Sequence, residues 1–488
     1  MSENEEVQVR GIKSTNEDII LPYRHLTGRK QIFTNETHVT SDNVLSILNK
    51  AMYIHNRNRS EIEYLEKYVR GVQPIIDRFK KYNSEICNKI VVNLANQIVT
   101  FKTAEFAGEP IQYVSRGSKR SVPKKVETLN SLMLSEGKQT KDLDLAFKMF
   151  TAGVGHRLIL NGRSDDYSEN DIYDEAPFEI YIPEPKNTFV VRVNDVTKRV
   201  LMGVNYVFLD DTHCEYTIYT SDATFKARGN AQSASEIISA TYHRFGMVNL
   251  IEYPCNTLYM SPIEVVHDLL NAMSDTISNR LDGIDQFIQA VMVFEGVDIT
   301  REEFLELKDL GALKIPPSSD GRSGRVYYLN EQLDQSQTQT LVDDLYQTIL
   351  EIVGMPSQGN ANSSDSSNNG AMIVKNGWWS AEARALETEG MWKSSETEFL
   401  KVVLRMCDRA NVLTGLKVSE VEPKFGRRGY EDLLSKTQSF TTLINAKVPP
   451  IQAYKFSKMS KDPESDSIEY ESYQEKLAAE LDEVTGVE

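Results

Sequence analysis

Apolar side chains recur every three or four residues from position 42 onward, beginning with Val44, Ile47, Leu48 and Ala51. This spacing places them on one face of a helix, and the polar residues Thr40, Ser41 and Asp42 before them suit an N-cap. The same criterion predicts helices from Asp42 and over Arg59–Tyr68, Asn83–Phe106, Lys124–Leu134 and Lys141–Gly153. Residues 1–40 are polar and lack a sustained period, so we predict a mobile arm there.

The pattern changes near Gly155 to alternation and to enrichment in Val, Ile, Tyr and Phe. Clusters of Gly, Asp and Asn separate the apolar runs, as hairpin turns require. Strands are predicted over Arg157–Asn161, Phe178–Ile182, Phe189–Val193, Val200–Leu209, Glu215–Thr220, Ile237–Tyr242 and Asn249–Tyr253. The sequence therefore predicts a module of antiparallel strands on a helical base.

Helical spacing returns after Pro254 and is almost unbroken over Pro262–Ala290. At 1.5 Å per residue, a helix of this length is about 40 Å long. Three carboxylates, seven residues apart, follow the other face: Asp268, Asp275 and Asp282. Two more long helices are predicted over Gln335–Val353 and Met372–Ala410, the second of which carries all three tryptophans, Trp378, Trp379 and Trp392.

Shorter segments fill the remaining intervals. Between the first two long helices we predict a compact insert: a short strand at Ala290–Phe294, a helix at Arg301–Asp309, and then the segments Leu313–Ile315 and Val326–Leu329 around a Gly/Ser/Pro loop. Residues 355–370 form a loop of low complexity. Val418–Phe425 is a candidate strand, and an acidic helical segment follows it. The fold class predicted is α+β and mainly helical.

The composition narrows the classes of protein. The chain has 488 residues and a formal net charge of −17, which argues against broad binding to nucleic acid because such binding needs clustered Lys and Arg. The four cysteines lie far apart with no CxxC, so neither a zinc module nor a disulfide framework is indicated. No apolar run approaches the ~18 residues of a membrane span, and the acidic start is unlike a signal peptide. We therefore expect a protein of the reducing cytoplasm with no membrane contact.

Signatures of catalysis are missing: the sequence has no GxxxxGK[ST], HExxH or GxSxG motif. Gly153-Val154-Gly155 resembles a phosphate-binding loop, but Leu158 stands where a third glycine belongs, so we interpret it as a helix end that enters a strand. His267 is interpreted as a solvated or interface residue. The acid pairs at 165–166, 210–211 and 343–344 are alternatively metal ligands or turn and helix-start residues, and local chemistry accounts for them. We expect no catalytic residue, metal or cofactor.

Two features have a structural and a functional interpretation. The acidic stripe is either a solvated helix face or the wall of a water-filled passage for a polyanion, where carboxylates would repel phosphates and prevent trapping. The low-complexity loop at residues 355–370 is either a linker or a flexible finger whose side chains hydrogen-bond transiently to phosphates. The tryptophans most simply pack or form a subunit interface.

Several stretches, in their order, resemble the portal proteins of tailed bacteriophages of the siphovirus type. Tyr68-Val69-Arg70-Gly71-Val72-Gln73-Pro74-Ile75 is similar to that family's YxxGxxPI element. The stretch from Asn88 to Ile111 is similar to its asparagine-rich helix that ends in GxPI. Phe245–Tyr253 resembles the strand before the first stem helix, although Asn249 replaces a proline. The turn Leu310–Lys314 and the small-residue step Asn369-Gly370-Ala371 also fit, and the resemblance covers about residues 42–480.

The resemblance implies a portal fold with a β-rich wing, long stem helices, a small α/β clip and a helical crown. Its parts would be an N-terminal arm (1–41), the first part of the wing (42–261), a stem helix (262–290), the clip (291–334), a second stem helix (335–354), the tunnel loop (355–370), the long helix with the wing return (371–428), and the crown with an acidic tail (429–488).

It also implies a function: a homo-oligomeric ring of about twelve subunits at one capsid vertex of the virion, assembled in the host bacterial cytoplasm. Double-stranded DNA would pass through its channel without sequence specificity during packaging and ejection. The expected partners are the large terminase, the major capsid or scaffolding protein, and a head-completion adaptor.

The resemblance also assigns expected sites. Asp268, Asp275 and Asp282 would line the channel. The tunnel-loop residues expected to face DNA are Gln358, Asn360, Asn362, Ser363, Ser364, Asn368 and Asn369. Lys314, Arg322 and Arg325 of the clip would contact the terminase and the adaptor.

Two other classes of protein remain as alternatives. An enzyme acting on DNA or nucleotides would need carboxylates or histidines converging on a metal. A different helical structural protein, such as a minor capsid or scaffold-like component, would form a solid or filamentous assembly instead of an open ring.

Overall fold

The computed structural model describes residues 27–81, 84–116, 121–162, 176–243, 245–288, 292–295, 325–328, 335–356, 378–426, 433–460 and 462–485. The helices are α1 (Val44–Val69), α2 (Leu94–Ala107), α3 (Val122–Ser135), α4 (Lys138–Ala152), α5 (Pro262–Ile288), α6 (Gln335–Val353), α7 (Trp378–Arg409), α8 (Leu433–Asn445), α9 (Pro450–Ser457) and α10 (Pro463–Thr485).

The strands are β1 (Ile32–Thr34), β2 (Gln112–Ser115), β3 (Val154–Asn161), β4 (Phe178–Tyr181), β5 (Thr188–Val193), β6 (Val200–Phe208), β7 (Cys214–Thr220), β8 (Ala223–Gly229), β9 (Ala234–Tyr242), β10 (Leu250–Pro254), β11 (Met292–Glu295), β12 (Arg325–Tyr328) and β13 (Val421–Lys424). The predicted α+β class is confirmed.

The chain divides into two compact units. The larger contains the described residues of Met1–Val72, Asn93–His267 and Leu350–Glu488, and the smaller those of Gln73–Val92 and Asp268–Ile349. The smaller unit thus takes a segment, Gln73–Val92, from the middle of the stretch expected to be wing.

The larger unit contains a six-stranded sheet with the strand order β1-β5-β6-β7-β8-β9. Its neighbours are antiparallel, as predicted, except that β1 runs parallel to β5. The apolar face of α1, with Val44, Leu48 and Met52 fully buried, packs on this sheet and closes its core. A second, antiparallel sheet has the order β10-β3-β4, and β2 pairs with β13. The pattern missed β1, β2 and β8.

Helix α1 is continuous, so the prediction of two helices is wrong. Two side chains of the polar run Asn56-Arg57-Asn58-Arg59, in the middle of α1, have defined partners. Asn58 exchanges two hydrogen bonds with the backbone of Lys30, at 2.9 and 2.8 Å, and Arg59 pairs with Glu63 one turn later at 2.9 Å. Such i,i+4 pairs support a helix through a polar stretch.

The predicted mobile arm is wrong for residues 27–34. β1 pairs with Val191–Val193 of β5, and Arg29, three residues before β1, is buried. This segment of the larger unit is held by main-chain hydrogen bonds, including Arg29 N–H to the carbonyl of Tyr259 at 3.0 Å.

The predicted helix over Asn83–Phe106 is wrong in its first half. Residues 84–92 are not helical, and α2 begins at Leu94, where the Asn93 side chain accepts a hydrogen bond from Asn96 N–H at 3.3 Å. An Asn in this position is a standard N-cap.

Gly153 ends α4 with a left-handed backbone, φ +80°, directly before β3. A Cβ at this position would lie 2.3 Å from the carbonyl oxygen of Tyr259, so a side chain cannot be accommodated. The interpretation of Gly153-Val154-Gly155 as a helix end entering a strand is confirmed.

In the smaller unit, α6 has the predicted bounds, and α5 is helical as far as Ile288; its predicted end at Ala290 lies outside the described residues. β11 and β12 form the antiparallel pair expected of the insert, with Met292 opposite Tyr328 and Glu295 opposite Arg325. The predicted helix at 301–309 lies outside the described residues.

Two of the three tryptophans of α7 can be assigned to packing. Trp392 is 1% exposed, with the rings of Tyr253 and Phe106 at 4.7 and 5.1 Å. Trp378 lies 6.1 Å from the ring of Phe101. The side chain of Trp379 lies outside the described set.

Candidate functional site: the α5 helix

The first turn of α5 is fixed by a reciprocal cap. Ser261-Pro262-Ile263-Glu264 has the spacing of a capping box with proline at the first helical position. Ser261 Oγ accepts a hydrogen bond from Ile263 N–H at 3.3 Å, and Glu264 Oε2 accepts one from Ser261 N–H at 2.6 Å. Ser261 Oγ–H donates to the carbonyl of Phe150 at 2.6 Å, which ties this end of α5 to α4.

The other carboxylate oxygen of Glu264 belongs to a buried ion cluster. Arg29 Nη2 lies 2.5 Å from Glu264 Oε1 and 2.9 Å from Glu61 Oε2 of α1, and all three side chains are buried. Burial raises the pKa of both carboxyls, and the charge of Arg29 opposes that rise. One guanidinium thus joins the N-terminal segment, α1 and the start of α5.

His267 is 6% exposed, so the interpretation of a solvated residue is wrong. Its Nε2 lies 2.6 Å from the hydroxyl of Tyr64, and its ring packs 5.1 Å from that of Tyr68. The periodicity placed His267 beside the exposed Asp268, but two aromatic side chains of α1 cover it.

The segment 88–92, which we call the strap, is bonded to α5 within the smaller unit. Its alternate backbone N–H groups donate to side chains spaced four apart on the helix: Asn88 to Asp282 at 2.6 Å, Ile90 to Ser278 at 2.9 Å and Val92 to Ser274 at 3.3 Å. The steps match because two residues of extended chain advance about 6.6 Å and four residues of helix about 6 Å. The strap therefore runs antiparallel to α5 without being helix or sheet.

Asp282 anchors one end of the strap. Its carboxylate is 2.9 Å from Arg78 Nη2 and 2.6 Å from Lys80 Nζ, and it also accepts from the side chain of Asn88 at 2.9 Å. Burial alone would raise the pKa of Asp282, but the hydrogen bonds of Lys80 and Asn88 and the charge of Arg78 outweigh it and lower that pKa. Asp282 is 2% exposed, so it does not present the free carboxylate expected of a channel wall.

The other two members of the acidic stripe differ from Asp282. Asp268 is exposed and Asp275 is half-buried. A spacing of seven drifts by about 20° per step on a straight helix, so the three carboxylates do not share one environment. Only Asp282 lies where the strap covers the helix.

The remaining expected site residues are mostly outside the described residues. These are all seven tunnel-loop positions, Gln358, Asn360, Asn362, Ser363, Ser364, Asn368 and Asn369, and the clip residues Lys314 and Arg322. Arg325 is the first residue of β12, in register with Glu295 of β11.

Sequence reasoning missed the residues that hold α5: Arg78, Lys80, Asn88, Ser274 and Ser278. Each of these residues lies about 200 residues along the chain from the residue that it bonds. The periodicity of apolar positions gives no information about contacts between residues so far apart. The one available signal was the polar pair Asn88-Lys89 inside a predicted apolar stripe.

A second buried ion cluster holds α7. Glu396 accepts from Arg157 Nη1 at 3.0 Å, Lys138 Nζ at 3.1 Å, and the hydroxyls of Tyr113 and Tyr253 at 2.5 and 2.9 Å. Burial acts to raise the pKa of Glu396, but Arg157 and Lys138 hold it at about 2. Asp142 pairs with both cations, so two positive and two negative side chains balance.

Within the described ranges, no group of three His, Cys, Asp or Glu side chains is placed to hold a metal ion. Asp210 uses its carboxylate to cap a turn, accepting from the N–H groups of Thr212 and His213, each at 2.7 Å, as local chemistry predicted. Over the same part of the chain, helices long and apolar enough to cross a bilayer are not found.

Comparison with solved structures gives weak likenesses. One is a chain from the neck of an empty gene transfer agent particle computed with C6 symmetry, at 10% identity and a TM-score of 0.44, covering 76% of this chain and 91% of that one. Another, from the virion of a native gene transfer agent particle, has 10% identity and a TM-score of 0.42, covering 75% and 90%.

A search among curated proteins gives no match. The sequence profile of the family described as "Phage portal protein, SPP1 Gp6-like" matches residues 48–483. Because this match takes in far more than half of the chain, the protein belongs to the SPP1 Gp6-like family of phage portal proteins.

Proposed function

We propose that the chain assembles into a closed ring of about twelve copies at one vertex of a viral capsid. The hole of this ring is the channel through which double-stranded DNA is packaged and later ejected. Membership of the portal family across residues 48–483 is the observation that carries the proposal. The subunit number comes from the resemblance of the sequence motifs.

Exposed apolar side chains on the long helices support assembly. Val265 and Ile284 of α5 are 57% and 38% exposed, and Leu341 and Ile352 of α6 are 48% and 37% exposed. Apolar positions on long amphipathic helices need partners, and identical neighbours supply them through heterologous contacts that close into a ring.

Asp268 and Asp275 are proposed as carboxylates of the channel wall. Their negative charge would repel DNA phosphates and let the duplex slide without being trapped, which agrees with the net charge of −17. Asp282 is left out because Arg78 and Lys80 neutralise it.

The remaining parts are proposed from the family. Residues 42–261 and the return after 371 form the wing, which meets the capsid or scaffolding protein; 262–290 and 335–354 form the stem, and 429–488 the crown. The clip, 291–334 with Lys314, Arg322 and Arg325, docks the terminase motor and afterwards the head-completion adaptor. The tunnel loop, 355–370, contacts passing DNA. The chain acts as dock, conduit and valve, and ATP hydrolysis belongs to the terminase.

Negative-stain electron microscopy of the purified full chain, with its mass from light scattering, tests the architecture. We expect rings with a central hole and a mass of about twelve subunits. A filament or a solid particle would favour another kind of structural protein, and a compact dimer with a closed cleft would favour an enzyme. Immunogold labelling of virions should then place the protein at a single vertex.

A further inference from the structure

An open groove lies in the larger unit, at one end of the six-stranded sheet. Its volume is about 640 Å³, within the range of ~300–1,000 Å³ that is typical of ligand-binding pockets. Two hairpin turns contribute to its walls: the β5–β6 turn with Lys198 and Arg199, and the β7–β8 turn with Asp222. Every second turn of an antiparallel sheet lies at the same end, so these two turns are about 10 Å apart. The segment before β10 and one face of α7 complete the groove.

The β5–β6 turn presents positive charge to the groove. Lys198 and Arg199 are exposed, and neither forms an ion pair within the described ranges. Arg199 donates to the carbonyl of Thr37 at 3.1 Å. Asp195, the nearest carboxylate in the sequence, accepts from the N–H groups of Thr197 and Lys198, each at 2.9 Å, and so caps the turn. The two cations are therefore available to a ligand in the groove.

Apolar side chains lie beside these cations. Val200 follows Arg199 at the start of β6, and Met247 and Val248 precede β10; all three line the groove and are half-buried. A ligand that removes such apolar surface from water is stabilised by doing so. The groove therefore suits an occupant with negative charge next to apolar groups.

The carboxylates of the groove argue against a polyanion. Asp222 on the second turn and Glu398 on α7 are exposed wall residues, and Glu252 of β10 is a third acidic one. A chain of phosphates in the groove would be repelled by them. A short polypeptide segment with its negative charge confined to one end avoids this repulsion.

The sequence that precedes the described part of the chain contains a segment of this kind. Glu17-Asp18-Ile19-Ile20-Leu21 places two carboxylates directly before three large apolar residues. The charge of the first two residues complements the β5–β6 turn, and the apolar character of the next three complements the wall beside it.

The chain also enters the described part close to the groove. Arg29 N–H donates to the carbonyl of Tyr259 at 3.0 Å, and the hydroxyl of Tyr259 donates to the wall residue Glu252 at 2.9 Å. One tyrosine side chain thus spans the distance from the Arg29 backbone to that wall. The eight residues from Leu21 to Arg29 cover about 26 Å when extended, so the segment can reach the groove of its own chain.

We propose that residues 17–21 bind in this groove of the same chain. The carboxylates at positions 17 and 18 pair with Lys198 and Arg199, and the three apolar residues at 19–21 cover the apolar wall. The contact fastens the stretch of chain before β1 to the turns of the six-stranded sheet. The inference concerns the larger unit alone and does not depend on the proposed ring or DNA channel.

Hydrogen exchange of the full-length protein, followed by mass spectrometry, tests the proposal. Peptides that cover residues 14–26 should exchange more slowly than an unstructured chain. Lys198→Glu/Arg199→Glu replaces two ion pairs by repulsion and should speed their exchange about three- to tenfold. Arg228→Glu, a charge reversal at an exposed position of β8 outside the groove, is the control and should leave these peptides unchanged. Exchange at the unstructured rate in the wild-type protein would overturn the proposal.

A charge exchange tests the pairing itself. Adding Glu17→Lys/Asp18→Lys to the reversed turn makes the charges opposite again and should restore slow exchange. Glu5→Lys/Glu6→Lys is the matched control, because Glu5-Glu6-Val7 also places two carboxylates before an apolar residue. If slow exchange returned only with this second pair, or with neither, residues 17–21 would not be the occupant.

An experimental structure of the assembled wild-type protein decides the question even if a variant fails to fold. We expect density for residues 17–21 in the groove, continuous with β1 of the same chain. An empty groove, a different ligand, or a segment from a neighbouring copy would contradict the proposal.

Discussion

Arg157 and Glu396 are 239 residues apart in the chain, yet their side chains meet at 3.0 Å with no measurable exposure. Arg157 extends from β3, and Glu396 lies in the middle of α7. The guanidinium is also stacked near the rings of Phe399 and Tyr253, at 4.5 and 4.8 Å. This contact holds α7 against the β10-β3-β4 sheet of the larger unit.

Glu396→Gln should strongly destabilise the larger unit. The substitution keeps the shape but leaves Arg157 and Lys138 facing only Asp142, so an uncompensated positive charge remains buried. We expect a loss of about 3–5 kcal/mol in the free energy of unfolding, measured by denaturant titration. Glu398→Gln is the matched control: it lies on the same helix, and its pair with Lys401 is exposed, so its effect should stay below about 1 kcal/mol. Equal effects would show that the Glu396 cluster is not the anchor of α7.

Ser278→Ala should loosen the strap. It leaves the N–H of Ile90 without its acceptor, at an expected cost of about 1–3 kcal/mol. Hydrogen exchange followed by mass spectrometry should show faster exchange in peptides that cover residues 84–92. Thr276→Ala, two residues earlier on α5, removes a hydroxyl that donates to the carbonyl of Ala272 in the same helix, and it should leave those peptides unchanged. Unaltered exchange in Ser278→Ala would mean that the strap is held by other contacts.

The double substitution Asp268→Lys/Asp275→Lys should leave rings intact while reducing DNA packaging. Two lysines in each subunit would attract phosphates and hold the duplex in place. The measurement is the fraction of DNA-filled particles, with ring formation checked by electron microscopy. Glu398→Lys, at an exposed position of α7, is the control for added positive charge. Normal packaging by the double variant would exclude Asp268 and Asp275 from the channel wall.

His55 and His156 should each lower the free energy of unfolding as the pH drops below about 6.5, against an opposite contribution from Glu61 and Glu264, whose pKa burial raises. Burial lowers the pKa of His55 to about 3 and that of His156 to about 4, from an ordinary value of 6.5. Between those values the unfolded chain binds protons that the folded chain does not, so acid favours unfolding. Each histidine contributes up to about 1.4 kcal/mol per pH unit.

The variant His156→Gln isolates one of these contributions. The difference in unfolding free energy between wild type and variant should shift by about 1.4 kcal/mol per pH unit from pH 6 to pH 4.5, in the direction that favours the variant in acid. A difference that is independent of pH would show that His156 titrates normally in the folded protein.

Helical periodicity was sufficient for the long helices, because a strand or a loop rarely keeps one apolar face at this spacing over nineteen or more residues. The bounds of α6 and the start of α5 follow from it. It failed at residues 84–92 for a geometric reason. Ile86 and Ile90 are four residues apart, and an even spacing shares a face in an extended segment as well as in a helix.

The candidate site was predictable only in part. The acidic stripe and the family motifs are visible in the sequence, but the burial of Asp282 depends on Arg78 and Lys80, which lie some 200 residues earlier. Likewise, no pattern in the sequence around Arg29 indicates that its side chain lies between those of Glu61 and Glu264. A contact between two single side chains that are far apart in the chain produces no repeating pattern in the sequence, so periodicity cannot reveal it.

The hydrogen-bonded positions lie slightly farther apart along the strap than along α5. Each step of the strap exceeds the matching step of the helix by about 0.6 Å, and the hydrogen bonds lengthen in order, from 2.6 Å at Asn88 through 2.9 Å at Ile90 to 3.3 Å at Val92. Four residues before Ser274 on α5 stands Leu270, whose side chain has no hydrogen-bond acceptor, so the series of bonds has no further member. The side chains that α5 offers therefore set the length of this pairing, and the chain leaves it one residue after Val92, where Asn93 caps α2.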